Sequence, residues 1–295
     1  MTAIETKGLT KYYGKSRGIT DISLTVEEGD FFGFIGPNGA GKSTTIRSLL
    51  GLIIPSSGTA KILGSDISDK RRNIFSLVGY MPSEANFYGS MKAGEIIRYS
   101  AELRKQNCKK EADILCERLK LDRSKKVCEL SLGNRKKVSI VCALQHFPKL
   151  CILDEPTSGL DPVIQREFFE ILKERNNSGA AVFLSSHILS EIQKYCRHAA
   201  VLREGRILIS DRMENLVHTN AKKVMLSGVS EAPDISGITN AETEVGTVKF
   251  LYSGETGALL NALSQMPVKD INITEPDLEE IIMHYYTEQD KEQKL

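Results

Sequence analysis

GPNGAGKST, residues Gly36 to Thr44, decides how this chain is read. Before it runs FFGFI, Phe31 to Ile35, an apolar run of the length of a buried strand, and after it TTIRSLLGL has a helix's composition. A strand, a glycine loop and a helix start follow in that order, which makes the loop a phosphate cradle. Gly36, Gly39 and Gly41, with Pro37, Asn38, Ala40 and Thr44 between and after them, let backbone N–H groups converge on an anion. The new helix points the positive end of its dipole at the same place. Lys42 is expected to reach the β- and γ-phosphates, and Ser43 to set its hydroxyl on Mg²⁺. The bland alternative, a glycine-rich turn before a helix, does not account for the strand in front. The loop implies a nucleoside triphosphate without saying what is done with it.

The 295 residues allow one large domain, or a domain of about 200 residues with a small one attached. With 26% charged and 41% hydrophobic residues the composition is that of an ordinary soluble globular protein. No apolar run is long enough for a membrane helix, and MTAIETKGL lacks a signal peptide's layout, so a cytoplasmic location is expected. Six cysteines at wide, irregular spacings fit neither a zinc site nor a disulfide scaffold and read as reduced thiols. The net charge of +1 hides an asymmetry: residues 211 to 295 hold 7 Lys/Arg against 15 Asp/Glu, and residues 1 to 210 hold 32 against 23. The basic pairs and the triplet Arg135-Lys136-Lys137 are scattered without aromatic interleaving, so they read as solvated helix faces, and no nucleic acid is expected.

KLCILDEP, Lys149 to Pro156, repeats the buried-strand pattern and ends in two acids. Asp154 is expected to hold the Mg²⁺ shell and Glu155 to polarise a water for in-line attack on the γ-phosphate. A third strand, Ala180 to Ser186, ends at His187, where open α/β sheets keep their ligands, so His187 is read as a polar contact to the γ-phosphate and water. The other histidines, at 146, 198, 218 and 284, have no such setting. LSLGNRKK, Leu130 to Lys137, heads a helix that begins at a serine cap, with Val138, Val141 and Cys142 on one face.

These stretches together resemble an ABC transporter ATP-binding subunit. GPNGAGKS resembles the Walker A loop, LSLGN the LSGGQ signature, CILDE the Walker B strand, SGLD (Ser158 to Asp161) the D-loop and SSH the switch loop. The resemblance implies an α/β P-loop NTPase of ABC type over residues 1–215, with a RecA-like core, an antiparallel β subdomain and a helical signature subdomain over about 88–145. It also implies that two such subunits face head to tail, with ATP between the P-loop of one and the signature helix of the other. Ser131 and Gly133 then reach the opposite γ-phosphate, Asp161 crosses the interface, and Tyr13 of KYYG stacks on adenine. A core tyrosine is the alternative reading of Tyr13.

Two residues depart from the family pattern. In VGYMPSEANFYGSM, Val78 to Met91, Ser83 stands where the family commonly has a glutamine near Mg²⁺, with Glu84 as a neighbour able to substitute; Leu132 replaces the signature's first glycine. Phe87 and Tyr88 are read as meeting the membrane partner. From residue 220 the pattern changes: KKVMLSG, TVKFLYSG and VKDINIT read as strands, ETGALLNALSQM as a helix, and EPDLEEIIMHYY as a final helix with Asp277 and Glu280 as a capping pair. This small α+β extension over 220–295 resembles that of bacterial drug and antimicrobial-peptide exporters. The expected function is ATP binding and hydrolysis, in a homodimer or heterodimer, that powers a separate polytopic membrane-spanning subunit from the inner face of the cell membrane. Two other readings stay open: a soluble ABC ATPase acting on ribosomes or DNA, and a tail that is chiefly a ligand-sensing module.

Overall fold

A computed structural model describes residues 1–14, 16–68, 74–217, 221–244, 246–276 and 280–281. The chain divides into two units, Met1–Ser210 and Asp211–Leu295. The first opens with two long strands, β1 (Thr2–Tyr13) and β2 (Ser16–Glu27), followed by β3 (Phe31–Ile35), the glycine loop and α1 (Lys42–Leu49). Then come β4 (Ser57–Ile62), β5 (Ser65–Asp66), β6 (Val78–Met81), and the helices α2 (Ala93–Leu103), α3 (Lys109–Arg118) and α4 (Leu132–Leu144). The chain continues through β7 (Leu150–Asp154), α5 (Pro162–Asn177), β8 (Ala181–Ser186), α6 (Leu189–Tyr195), β9 (His198–Arg203) and β10 (Arg206–Arg212).

Two sheets result. One is antiparallel, in the order β2-β1-β4-β5; the other is six-stranded, in the order β10-β9-β3-β8-β7-β6, and its β9-β3-β8-β7-β6 portion is parallel. Every residue of β3, β7 and β8 is buried, which is why these strands read as unbroken apolar runs and not as alternating ones. Phe183 of β8 stacks on Phe32 and tilts against Phe34, at ring separations of 5.8 and 5.2 Å. One core joins both sheets through α1: Ile4, Leu9, Ile22 and Ile62 from the antiparallel sheet, Ile46 and Leu49 from the helix, and Phe34 and Ile152 from the parallel sheet. Burying each such side chain stabilises by about 1.5–3 kcal/mol.

Helices α4 and α5 start where the sequence supplies side-chain caps. Ser131 Oγ accepts from Asn134 N at 3.3 Å to open α4, and Asp161 Oδ1 accepts from Ile164 N at 3.0 Å to open α5, with Pro162 at its first position. Helix α3 is tied to α5 by Arg118, which bonds Glu167 at 2.5 Å and both oxygens of Glu174 at 2.6 and 2.9 Å. At Gly79 of β6 a Cβ would lie 2.2 Å from the Ala143 carbonyl, so the last turn of α4 sits on this strand only because it lacks a side chain.

The second unit holds α7 (Met213–Val217), β11 (Lys222–Ser227), β12 (Ile238–Glu244), β13 (Thr247–Tyr252), α8 (Thr256–Ser264) and β14 (Asp270–Thr274). Its sheet is antiparallel, in the order β12-β13-β11-β14. Alternate residues, Val224 and Leu226 on β11 and Val248, Phe250 and Tyr252 on β13, pack against Leu259 and Leu263 of α8. Of EPDLEEIIMHYY, read as the final helix, four residues lie within the described ones: Glu275 and Pro276, which are not helical, and Glu280 and Ile281, which are; Asp277, Leu278, Ile282 and Tyr285 lie outside them, as do His218 and His284.

His146, just beyond α4, is 7% exposed, with Nε2 3.3 Å from the Val78 carbonyl. Burial, and after it the Arg104 guanidinium, push its pKa from 6.5 down to about 4. Between those values the unfolded chain binds the extra proton and the folded chain does not, so stability falls as pH drops through this window. Replacing His146 with Gln is expected to flatten this acid limb. Urea midpoints at pH 7, 6 and 5, followed by circular dichroism because the chain has no tryptophan, measure it. A slope unchanged by the substitution would place the titrating group elsewhere.

Candidate functional site

Strands β3, β7 and β8 end level, because Ile35 pairs with Ser186 and Asp154 with Ser185. The glycine loop, Glu155 and His187 therefore leave the sheet at one edge, its carboxyl edge. Gly36 lies so close to the backbone that a Cβ would sit 2.5 Å from the Leu202 carbonyl. Gly41, at φ +109°, forms the cap of α1, where no side chain closes the helix and its first N–H groups face the loop. A cleft of about 310 Å³ opens here, lined by Pro37, Asn38, Gly39, Gly41, Lys42, Ser43 and Thr44 of the loop and by Tyr13, Gly18, Ser83 and Glu155. Gly36 and Ala40 are buried beneath it.

Lys42 is buried, and its Nζ donates to the Gly36 carbonyl at 2.5 Å and to the Pro37 carbonyl at 3.2 Å. The same ammonium stands 3.0 Å from Glu155 Oε1, while His187 Nδ1 lies 2.7 Å from Glu155 Oε2. Glu155 thus bridges the loop lysine and the switch histidine. Its backbone adopts φ +48°, a left-handed conformation that costs on the order of 1–3 kcal/mol for such a residue and persists only when the surroundings hold it. Two groups hold it: Glu155 N donates to the Ser185 carbonyl at 3.1 Å, and Lys136 Nζ donates to the Glu155 carbonyl at 2.7 Å.

Asp154 is fully buried. Ser185 Oγ donates to its Oδ1 at 2.6 Å, and its Oδ2 has no hydrogen-bond partner among the described residues. Ser83 lines the cleft, but Glu84 does not; Glu84 is exposed and accepts from Asn86 Nδ2 at 3.3 Å. Tyr13 is 47% exposed at the end of β1, so the core-tyrosine reading fails. A Cβ on Gly18 would lie 3.0 Å from the Tyr13 ring, so the glycine leaves room for it. Ser131, Gly133 and Asp161 do not line the cleft. Gly133 packs against the D-loop of its own chain, where a Cβ would sit 2.7 Å from the Gly159 carbonyl. Phe87 is half-buried and Tyr88 is 73% exposed.

The sequence assigned three polar residues no role of their own at this site. Ser185 and Lys136 are described above. Glu191 of α6 accepts from Thr157 Oγ1 and Ser186 Oγ, both at 3.1 Å, tying the residue just before the D-loop to the switch strand, and burial raises its pKa. Lys136 also corrects the reading of Arg135-Lys136-Lys137 as a solvated face. Both lysines are buried, Lys136 to 1% exposure, and burial lowers the Lys136 pKa against the opposing pull of Asp154 and Glu155. A pattern of charge alone cannot distinguish such an amine from a surface one.

Comparison with known proteins bears on this arrangement. A family model described as ABC transporter matches residues 19–158, and a model of an AAA domain matches 127–192. The chain is 38% identical over 227 residues to the Bacitracin transport ATP-binding protein BcrA of Bacillus licheniformis, a match that covers 75% of this chain and 73% of that one. It is 30% identical over 290 residues to the BcrA of Enterococcus faecalis, covering 94% of each. A solved ATP-binding subunit of an ABC transporter superposes with a TM-score of 0.68 at 31% identity, over 73% of this chain and 92% of that one. Fold and site together define a P-loop ATPase. The chain belongs to the ABC transporter family as an ATP-binding and ATP-hydrolysing subunit, with a RecA-like core, antiparallel and helical subdomains, and additional C-terminal elements.

Removing the loop ammonium tests the cleft. Charged hydrogen bonds contribute about 1.5–3 kcal/mol, so Lys42→Ala is expected to raise the ATP Kd by about 10- to 100-fold. A fluorescent-nucleotide titration measures it, and an unchanged Kd would remove Lys42 from the phosphate site.

Proposed function

We propose that this chain pairs head to tail with a second ATP-binding subunit around two ATP molecules and so powers a separate polytopic membrane-spanning subunit, in the direction of export. The observation that carries the reading is a separation. The cleft gathers the glycine loop, Lys42, Glu155 and Tyr13, whereas Ser131 and Gly133 stand apart from it on the rim of α4. An ATP in one chain's cleft would then meet a signature helix only on another chain, where the helix N-terminus adds its dipole to the Ser131 hydroxyl.

The chemistry follows from the Lys42–Glu155 pair. When a γ-phosphate approaches Lys42, the ammonium exchanges one anion for another, and the Glu155 carboxylate is released to accept a proton from an attacking water. His187, now beside Glu155, would hold the water and the phosphate in line. Tyr13 would stack on the base. Magnesium suits the residues present, because the buried Asp154 Oδ2 is an acceptor without a partner among the described residues. Ser43 and Asp154 would hold the ion, with Ser83 at the cleft as the nearer of the two further candidates, and it would neutralise charge on the phosphate oxygens.

The ATPase function is assigned to residues 1–215 and an accessory role to 220–295. The partner would be met by the segment of Phe87 and Tyr88, whose exposed aromatic suits an anchor for a short helix. The relatives named for bacitracin transport support export, and the subunit would work peripherally on the cytoplasmic face through that partner. Affinity purification in mild detergent is expected to bring down a polytopic membrane protein; ribosomes or DNA in its place would favour a soluble role.

Removing the charge of Glu155 separates binding from hydrolysis. Glu155→Gln is expected to slow turnover by about 10²- to 10⁴-fold and to accumulate as an ATP-bound dimer, which adding Ser131→Arg dissolves. Light scattering after size exclusion, with and without ATP-Mg²⁺, reads the pairing. A Glu155→Gln protein that hydrolyses at the wild-type rate would end the assignment of that residue, and one that stays monomeric in saturating ATP would point to an obligate heterodimer.

A further inference from the structure

Lys136 is buried in the first unit, yet it belongs to neither the phosphate loop nor the acidic pair. Its Nζ donates to the carbonyl of Glu155 at 2.7 Å. It lies on α4 one turn after Gly133, so the two residues share a helix face. Gly133 approaches the Gly159 carbonyl so closely that no Cβ would fit. One face of α4 therefore grips the segment Glu155–Gly159 at both ends, by contact at one and by hydrogen bond at the other. Glu155 itself sits at φ +48°, and its carbonyl has Lys136 as its side-chain partner while its N–H is held by Ser185.

Space alone does not call for an ammonium here. A methionine of similar length would fill the site without the desolvation cost of a buried charge, which is tolerated only when the charge is satisfied. Of the groups that satisfy it, the Glu155 carbonyl belongs to the residue whose carboxylate faces the nucleotide cleft. Ser131 caps the same helix five residues earlier, about 7.5 Å along the axis.

We infer that Lys136 is a positioning residue for hydrolysis: its ammonium fixes the left-handed turn at Glu155 and so ties the aim of that carboxylate to the seating of the signature helix. The inference rests on the roles proposed above for Glu155 and Ser131. A helix seated by a neighbour's ATP would thus set the hydrolytic carboxylate in its own chain, one site reporting to the other.

The full-length chain with Lys136→Met tests it. A misplacement of about 1 Å at a reacting group costs on the order of 10²-fold, so kcat is expected to fall by about 10- to 100-fold while the KM for ATP stays within about threefold. The Met variant should still pair in ATP-Mg²⁺ and, because it hydrolyses slowly, persist as an ATP-bound dimer. Lys136→Arg, which keeps donor and charge, should recover most of the turnover. Wild-type turnover and the pairing of Glu155→Gln, run alongside, test the underlying roles separately, so their failure is not mistaken for failure of Lys136. Three results would overturn the inference: wild-type kcat in the Met variant, loss of turnover and pairing together with a lowered unfolding midpoint, or a folded Arg variant as slow as the Met one.

Discussion

The ion pair between Lys42 and Glu155 constrains everything around it. Its members come from loops more than a hundred residues apart, and both side chains are largely removed from water. Buried ions of this kind are costly unless geometry and further hydrogen bonds compensate. Here the Gly36 and Pro37 carbonyls take the remaining ammonium protons, and His187 meets the second carboxylate oxygen. That compensation exists only because β3, β7 and β8 finish level. A slip of one residue would turn Asp154 away from Ser185 and move its neighbour from the loop lysine, so the strand register is itself a requirement of the chemistry.

The two units solve the problem of burial differently. In the first, parallel strands are covered on both faces and carry no polar alternation, so polar side chains come at the strand ends, where the loops converge. In the second, an antiparallel sheet lays one face on α8 and keeps alternate residues for the other. The two units also differ in charge: residues 211 to 295 hold an acidic excess, and residues 1 to 210, which carry the anion-binding edge, a basic one.

The parts of the site that were legible in the sequence are those whose chemistry is local. Phe31 to Ile35 and Leu150 to Asp154 are strands because their apolar runs, the second unbroken up to the acid at 154, must be covered on both sides, and the loop from Gly36 to Thr44 announces itself by glycine spacing. The cap at Ser131 is a contact over three residues and was equally plain. What escaped notice depends on distance along the chain. Ser185 reaches Asp154 across 31 positions, Glu191 reaches Thr157 across 34, and Lys136 reaches Glu155 across 19. A lysine between Arg135 and Lys137 looks solvated until the fold supplies a carbonyl for it. Strand β12, ITNAETE, was missed because its residues are exposed or half-exposed and so carry no apolar alternation to read.

The close approach of Gly133 to Gly159 extends to its neighbour. A Cβ on Gly159 would lie 3.0 Å from Leu132 Cδ2, and Gly159 already holds φ +80°. Leucine at 132, the departure from the signature pattern, is thus accommodated by the glycine facing it across the loop. Positions 132 and 159 are coupled through that contact: a side chain at 159 would be strained by its own backbone and would push the half-exposed tip of Leu132 aside by a few tenths of an ångström. The bulk of a leucine in the signature is thus felt twenty-seven places later, in the loop that faces it.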